Sequence, residues 1–224
     1  MVAPALTGSV TLLDAGLLDY GPALELQQRL CRERQQDRRA DSLILLEHTP
    51  VITLGQSGGL DDLLMTAEAL RMKGVELFDS SRGGRATFHG PGQLVAYPII
   101  KLPDSDLHAY LWKIEEVSLR LLAQWDIPAQ REERYPGVWV GKEKIAAVGV
   151  AVSNDVTMHG LALNVNTNLA FFDLIVPCGI SNRGVTSMQC QLGRPVPMEA
   201  VKQAFTKYFC EVFNLQVING SVSQ

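Results

Sequence analysis

No apolar run in this 224-residue chain approaches the length of about 20 residues needed to cross a bilayer, so a helical membrane protein is excluded. Cysteine is scarce: Cys31, Cys178, Cys190 and Cys210 sit at irregular spacings without a CxxC pair. Neither a disulfide framework nor a cysteine-based metal knuckle has a pattern to rest on, and free thiols in a reducing compartment are expected. Charge of one sign is never concentrated. The 20 basic and 24 acidic residues are spread along the whole chain to a net −4, which leaves no cationic tail for nucleic acid and no tethered acidic tail. Residues 1–10 lack the cationic and long apolar segments of a secretory signal, and Asp14 and Asp19 speak against an arginine-rich transit peptide. A cytoplasmic protein, or an organelle protein already trimmed, is expected. Internal repeats, low-complexity tracts and long linkers are also missing, and 46% hydrophobic content is enough for one sizeable core, so residues 1–224 read as a single domain.

What is present reads mostly as short strands in the middle of the chain. Residues 43–47, 51–54, 75–78 and 94–100 are brief apolar runs bounded by turn residues. Residues 80–92 hold four glycines and a proline, an ordered loop in which 86–88 can form a brief strand. Residues 137–140, 144–152 and 156–164 are joined by Gly141-Lys142-Glu143 and Ser153-Asn154-Asp155, turn chemistry at hairpin length, and predict an antiparallel meander. Helices are predicted at 22–36, 66–73, 107–125 and 198–213. Leu107, Leu111, Ile114, Val117 and Leu121 recur at helical spacing in the third, and Val201, Phe205, Tyr208 and Val212 in the fourth. Hairpin strands with helices between some of them predict an α+β fold, a mixed, largely antiparallel sheet sandwiched with helices.

Four places carry chemistry. Cys178 stands between Pro177 and Gly179, on a tight turn suited to a nucleophile, although the ordinary fate of a lone cysteine is to be a small buried hydrophobe. A free thiol is only a few per cent thiolate at neutral pH, so acyl transfer through Cys178 needs a nearby cation or base. Lys144 opens the run Lys144-Ile145-Ala146-Ala147-Val148-Gly149, whose small residues let a ligand lie against backbone; from spacing alone it reads as a solvated hairpin lysine. A protonated lysine favours thiolate, and a desolvated one can accept a proton from an incoming amine. The stretch from Arg82 to Gln93 combines approachable backbone with Arg82, Arg85 and His89, features that grip a polar head group. It does not end in Gly-Lys-Ser/Thr, and neither does the loop around Gly58 and Gly59, which argues against a phosphate-binding P-loop. His48, His89 and His159 read ordinarily as satisfied structural histidines; a zinc site from His89, His159 and Cys178 matches no ligand spacing.

Taken in order, Arg82-Gly83-Gly84 with Thr87, His89-Gly90-Pro91-Gly92-Gln93, Gly137-Val138-Trp139, Lys144-Ile145-Ala146, His159-Gly160 with Ala162-Leu163-Asn164, and Pro177-Cys178-Gly179 span most of the chain. This ordered set resembles the lipoyl(octanoyl) transferases of protein lipoylation, and the separation of Lys144 from Cys178 is similar too. The resemblance implies the catalytic-domain fold of biotin and lipoate protein ligases, with no metal, nucleotide or other cofactor. It makes Cys178 the thioester nucleophile and Lys144 the group that depresses its pKa. It implies a substrate pocket of Arg82, Gly83, Gly84, Arg85, Ala86, Thr87, Phe88, His89, Ala147, Val148, Gly149, Gly160, Leu161 and Ala162, with His48, His159 and Asn164 as further candidates. Arg85 and Phe88 stand where members of that family vary. The implied donor is octanoyl-acyl carrier protein; the implied acceptors are lipoyl domains of 2-oxoacid dehydrogenase E2 subunits and the glycine cleavage H protein. No nucleic acid or membrane is involved, and a monomer is expected. Arg82, Arg85, Arg131, Arg134 and Arg183 are read as a basic rim for acidic carrier domains. Two rival readings are an ATP-dependent lipoate or biotin ligase, which has no need of Cys178, and a non-catalytic module that binds lipoyl domains.

Overall fold

The computed structural model describes residues 8–102, 104–133, 135–176 and 183–219. In chain order these form β1 (Gly8–Leu18), α1 (Tyr20–Gln35), β2 (Asp41–His48), β3 (Val51–Leu54), α2 (Ala67–Met72), β4 (Glu76–Asp79), β5 (Ala86–His89) and β6 (Gln93–Ile99). Then come α3 (Leu107–Gln124), β7 (Gln130–Arg131), β8 (Gly137–Val140), β9 (Glu143–Ser153), β10 (Val156–Asn164), β11 (Gly184–Val185), α4 (Met188–Leu192), α5 (Met198–Phe213) and β12 (Leu215–Asn219). Short 3-10 turns occupy Leu60–Asp62 and Leu169–Leu174.

Among the described residues the main sheet runs β12-β1-β2-β6-β10-β9-β8-β7, with β11 added against β9, and a small second sheet runs β4-β3-β5. The main sheet is mixed. Its β2-β6-β10-β9-β8-β7 stretch is antiparallel, whereas β1 pairs in parallel with both β2 and β12. The expected α+β sandwich and the β8–β10 meander are therefore present, with the four predicted helices matched to within a few residues at each end.

Both faces of the sheet are buried, which is why β6 reads as an unbroken apolar run. Leu94 and Ala96 face α3 and α5, where Ile114, Val117, Leu121, Val201, Phe205 and Phe209 fill the larger core. Val95, Tyr97 and Ile99 face the opposite way, toward Ala23, Leu30 and Cys31 of α1. A third cluster lies under the small sheet and joins Ile52, Leu54 and Phe88 to Phe172 and Ile175. Four strands escaped the sequence reading, and two of them, β7 and β11, are only two residues long. β1 carries a bulge between Asp14 and Gly16 that breaks its alternation, and β12 is a short terminal strand whose partner is β1 at the far end of the chain. Among the described residues, no helix is long and apolar enough to cross a membrane.

Candidate active site

The site grows from small residues on adjacent strands. Gly160 of β10 stands opposite Gly149 of β9, and Ala162 stands opposite both Ala147 of β9 and Val95 of β6. With no bulky side chains, this patch is a trough in the sheet. His159 and Gly160 adopt φ values of +59° and +158°, and a Cβ on Gly160 would lie 2.3 Å from the Ala96 carbonyl oxygen. The loop after β4 roofs the trough: Gly83 N–H donates to the Val150 carbonyl at 2.9 Å. A Cβ on Gly149 would come within 3.1 Å of Gly83 O and of the Arg82 side chain, so glycine is what lets roof and floor approach.

Arg82 holds that roof instead of projecting from it. Its Nε and Nη2 donate to Thr53 Oγ1 at 3.2 and 2.8 Å, Nη2 also donates to Thr53 O at 2.7 Å, and the residue is 8% exposed. Arg85 donates from Nε and Nη2 to Oδ1 of the buried Asp62 at 2.8 and 2.6 Å. Among the described residues, the other arginines expected to form a basic rim are likewise engaged locally. Arg131 is paired with Glu116 at 2.6 Å and Arg183 with Glu132 at 2.7 Å, each also stacked on an aromatic ring, so these charges are locally matched. Arg134 lies outside the described residues.

The resulting pocket is lined by Arg82 to Thr87, His89, Lys144, Ala147 to Gly149 and His159 to Ala162, together with Tyr20, Val95 and Tyr97. Phe88 is the exception: it points away from the trough and stacks on Phe171 at 4.7 Å inside the third apolar cluster, because alternate residues of β5 face opposite sides. His48 does not line the pocket either; it stands behind Tyr97. Asn164 lines an adjoining recess shared with Lys144, Ala147, Ala162, Phe172 and Val185.

Lys144 is placed by its neighbours. Nζ donates to the Pro136 carbonyl at 3.2 Å and sits 4.8 Å above the Trp139 ring. Gly137, at φ +128°, makes room for the stem: a Cβ there would lie 3.4 Å from Lys144 Cε and 2.6 Å from Ala146 O. Val185 of β11 pairs with Lys144, and Thr186 N–H donates to the Lys144 carbonyl at 3.0 Å. Cys178 lies outside the described residues. The described chain before it, at Val176, donates its N–H to Asp62 O at 2.8 Å, and Ile175 bridges to Leu63.

Three histidines surround the deep end, and burial holds all of them neutral at pH 7. It pushes His48 and His159 down to about 4, and His89, helped by the neighbouring His48, down to about 3. Their bonds fix two tautomers. Gln93 Nε2 donates to Phe88 O and Asn164 Oδ1, so its Oε1 accepts from His89 Nδ1–H at 2.7 Å. His48 Nδ1–H donates to Leu18 O at 2.8 Å, leaving Nε2 to accept from the Tyr97 hydroxyl at 2.7 Å. His159 Nε2 bonds the Ser81 hydroxyl at 2.9 Å. Asn164 extends the His89–Gln93 chain by donating to Thr186 O at 3.0 Å, which ties it to the Lys144 strand. Sequence reasoning missed Tyr20, Val95, Tyr97 and Asp62. Alternation along β6 was a usable signal for Val95 and Tyr97; nothing local marks Tyr20 or Asp62.

A family described as the lipoyl protein ligase A/B catalytic domain matches residues 19–210. An octanoyltransferase of Rubrobacter xylanophilus is 49% identical over 199 residues, covering 88% of this chain and 90% of that protein. An octanoyltransferase of Myxococcus xanthus is 43% identical over 220 residues; the match takes in 95% of this chain and spans 62% of that longer relative. Among solved structures, a bipartite lipoate protein ligase from Thermoplasma acidophilum, studied with its E2 lipoyl domain, has a TM-score of 0.74 at 16% identity over 98% of this chain and 88% of that one. That likeness is one of fold.

Proposed function

Because the chain belongs to the lipoyl protein ligase A/B catalytic-domain family, we propose that it carries an octanoyl group on Cys178 from octanoyl-acyl carrier protein to the lysine of a lipoyl domain. Octanoyl transfer is its activity; the donor, the acceptors and the covalent route make up the proposal. In the first half, the Cys178 thiolate attacks the donor thioester carbonyl, a carbon–sulfur bond forms, and the carrier's thiolate leaves and takes up a proton. In the second half, an acceptor lysine amine attacks the acyl-enzyme, loses a proton, and displaces Cys178 as thiolate. Exchange of thioesters is nearly neutral, and amide formation draws the second step forward. Lys144 acts as the cation that favours the Cys178 thiolate and as the group that handles the amine's proton. Acceptors of this kind are the lipoyl domains of 2-oxoacid dehydrogenase E2 subunits and the glycine cleavage H protein.

The observation that carries this reading is the position of Lys144. Its side chain lines the small-residue trough, and Val185, seven positions beyond Cys178, pairs with it directly. The test is intact-protein mass spectrometry after mixing the chain with octanoyl-acyl carrier protein without ATP. One octanoyl adduct is expected on the native chain, none on Cys178→Ser, and an adduct formed about 10²- to 10⁴-fold more slowly on Lys144→Ala. Transfer that requires ATP and survives Cys178→Ser would replace this reading with a ligase. Lipoyl-domain binding without any adduct would replace it with a binding module.

A further inference from the structure

The geometry points to Tyr97 as the wall that sets the acyl chain length, with His48 bracing it from behind. The inference rests on the octanoyl-transfer reading and asks a question the sequence leaves open. Burial rewards every added methylene, so an apolar trough without a stop prefers longer chains; a preference for eight carbons requires something solid at the far end.

The trough runs across strands. Its open side is β9, where Ala147 and Gly149 share the lining with Lys144, and its floor crosses β10 at Gly160 and Ala162. It ends at β6, where Val95 pairs with Ala162 and Tyr97, two residues on, faces the same way. From β9 to β6 is two inter-strand spacings, about 10 Å. An extended octanoyl chain has seven carbon–carbon bonds, each advancing roughly 1.25 Å for a 1.52 Å bond at a tetrahedral angle, about 9 Å in all. An octanoyl chain whose carbonyl lies over β9 and which runs across the strands therefore reaches β6 with its last carbons.

Tyr97 cannot retreat. Its hydroxyl donates to His48 Nε2 at 2.7 Å, His48 is in turn fixed to the Leu18 carbonyl, and the ring meets His159 edge-on at 6.3 Å. Tyr97 is 4% exposed and His48 0%, so a longer chain pushes the ring against packed protein.

The experiment measures kcat/KM for hexanoyl-, octanoyl-, decanoyl- and dodecanoyl-acyl carrier proteins with a lipoyl domain as acceptor. Tyr97→Leu is expected to raise the decanoyl-to-octanoyl ratio about fifteenfold, or ~1.6 kcal/mol, the contribution of two further buried methylenes. Tyr97→Met, whose unbranched and flexible side chain adapts to irregular gaps, reads the same ratio if the leucine variant fails to fold. Ala162→Val, which fills the trough one strand short of the wall and leaves the Tyr97–His48 bond alone, is expected to shift preference toward hexanoyl. Active Tyr97 variants whose ratio stays within twofold of the native chain overturn the assignment while leaving octanoyl transfer intact. A native chain that transfers none of the four acyl groups instead overturns the function on which it rests.

Discussion

At the scale of single residues, glycine does more at this site than any charged group. Gly137 sits in a positive-φ conformation with the Ala146 carbonyl 2.6 Å from where its Cβ would be and the Lys144 stem 3.4 Å away. An alanine there strains the backbone and pushes on the side chain proposed to handle protons. Gly137→Ala is expected to cost about 2 kcal/mol or more in urea unfolding and to slow acyl transfer by more than the stability loss explains, because Lys144 is displaced. Unchanged stability and unchanged rate would mean that the strand shifts to absorb the methyl group. The sequence marked Gly137 only through its company in a motif; that it spaces Lys144 is visible because β8 and β9 are paired.

At the scale of elements, the short turn Leu60–Asp62 connects the pocket roof with the segment that leads to Cys178. The Asp62 carboxylate receives Arg85 twice and the Gly59 N–H at 3.1 Å, while its backbone carbonyl receives Val176 N–H. Asp62→Ala removes the side-chain bonds and keeps the backbone one. Arg85 is 43% exposed and regains water, so the expected stability loss is only about 1–2 kcal/mol by urea unfolding. The larger effect is expected on KM for the acyl donor, because Arg85 lines the pocket and loses its orientation; steady-state kinetics separates the two. Helices α3 and α5 were legible from their apolar stripes, since packing on a sheet demands that spacing. β1 was not, because its bulge resets the alternation on which strand reading depends. Nor did any local pattern indicate that β2 and β3, two residues apart, enter different sheets.

At the scale of the whole molecule, three neutral histidines buried around one pocket link folding to pH. Their folded pKa values lie below the unfolded value of 6.5, so the unfolded chain binds more protons as the solution becomes acid. Their contribution is complete above pH 6.5 and is lost as pH falls from there, toward 4 for His48 and His159 and toward 3 for His89. Buried Glu115, whose pKa is raised by desolvation, works in the opposite direction and offsets part of this. Urea unfolding at pH 7 and pH 4.5 is expected to show a loss of a few kcal/mol; a flat profile would mean that these imidazoles are not held neutral. The sequence by itself determined the fold class, the meander, the two long packed helices and the motifs that betray the family, because these rest on short-range periodicity and turn chemistry. Tertiary structure decided which of those residues meet. It turned Phe88 away into a core, matched Arg85, Arg131 and Arg183 to carboxylates but Arg82 to Thr53, and put Tyr97, bonded to His48, on the pocket lining, since contacts across a sheet depend on pairing between segments far apart in the chain.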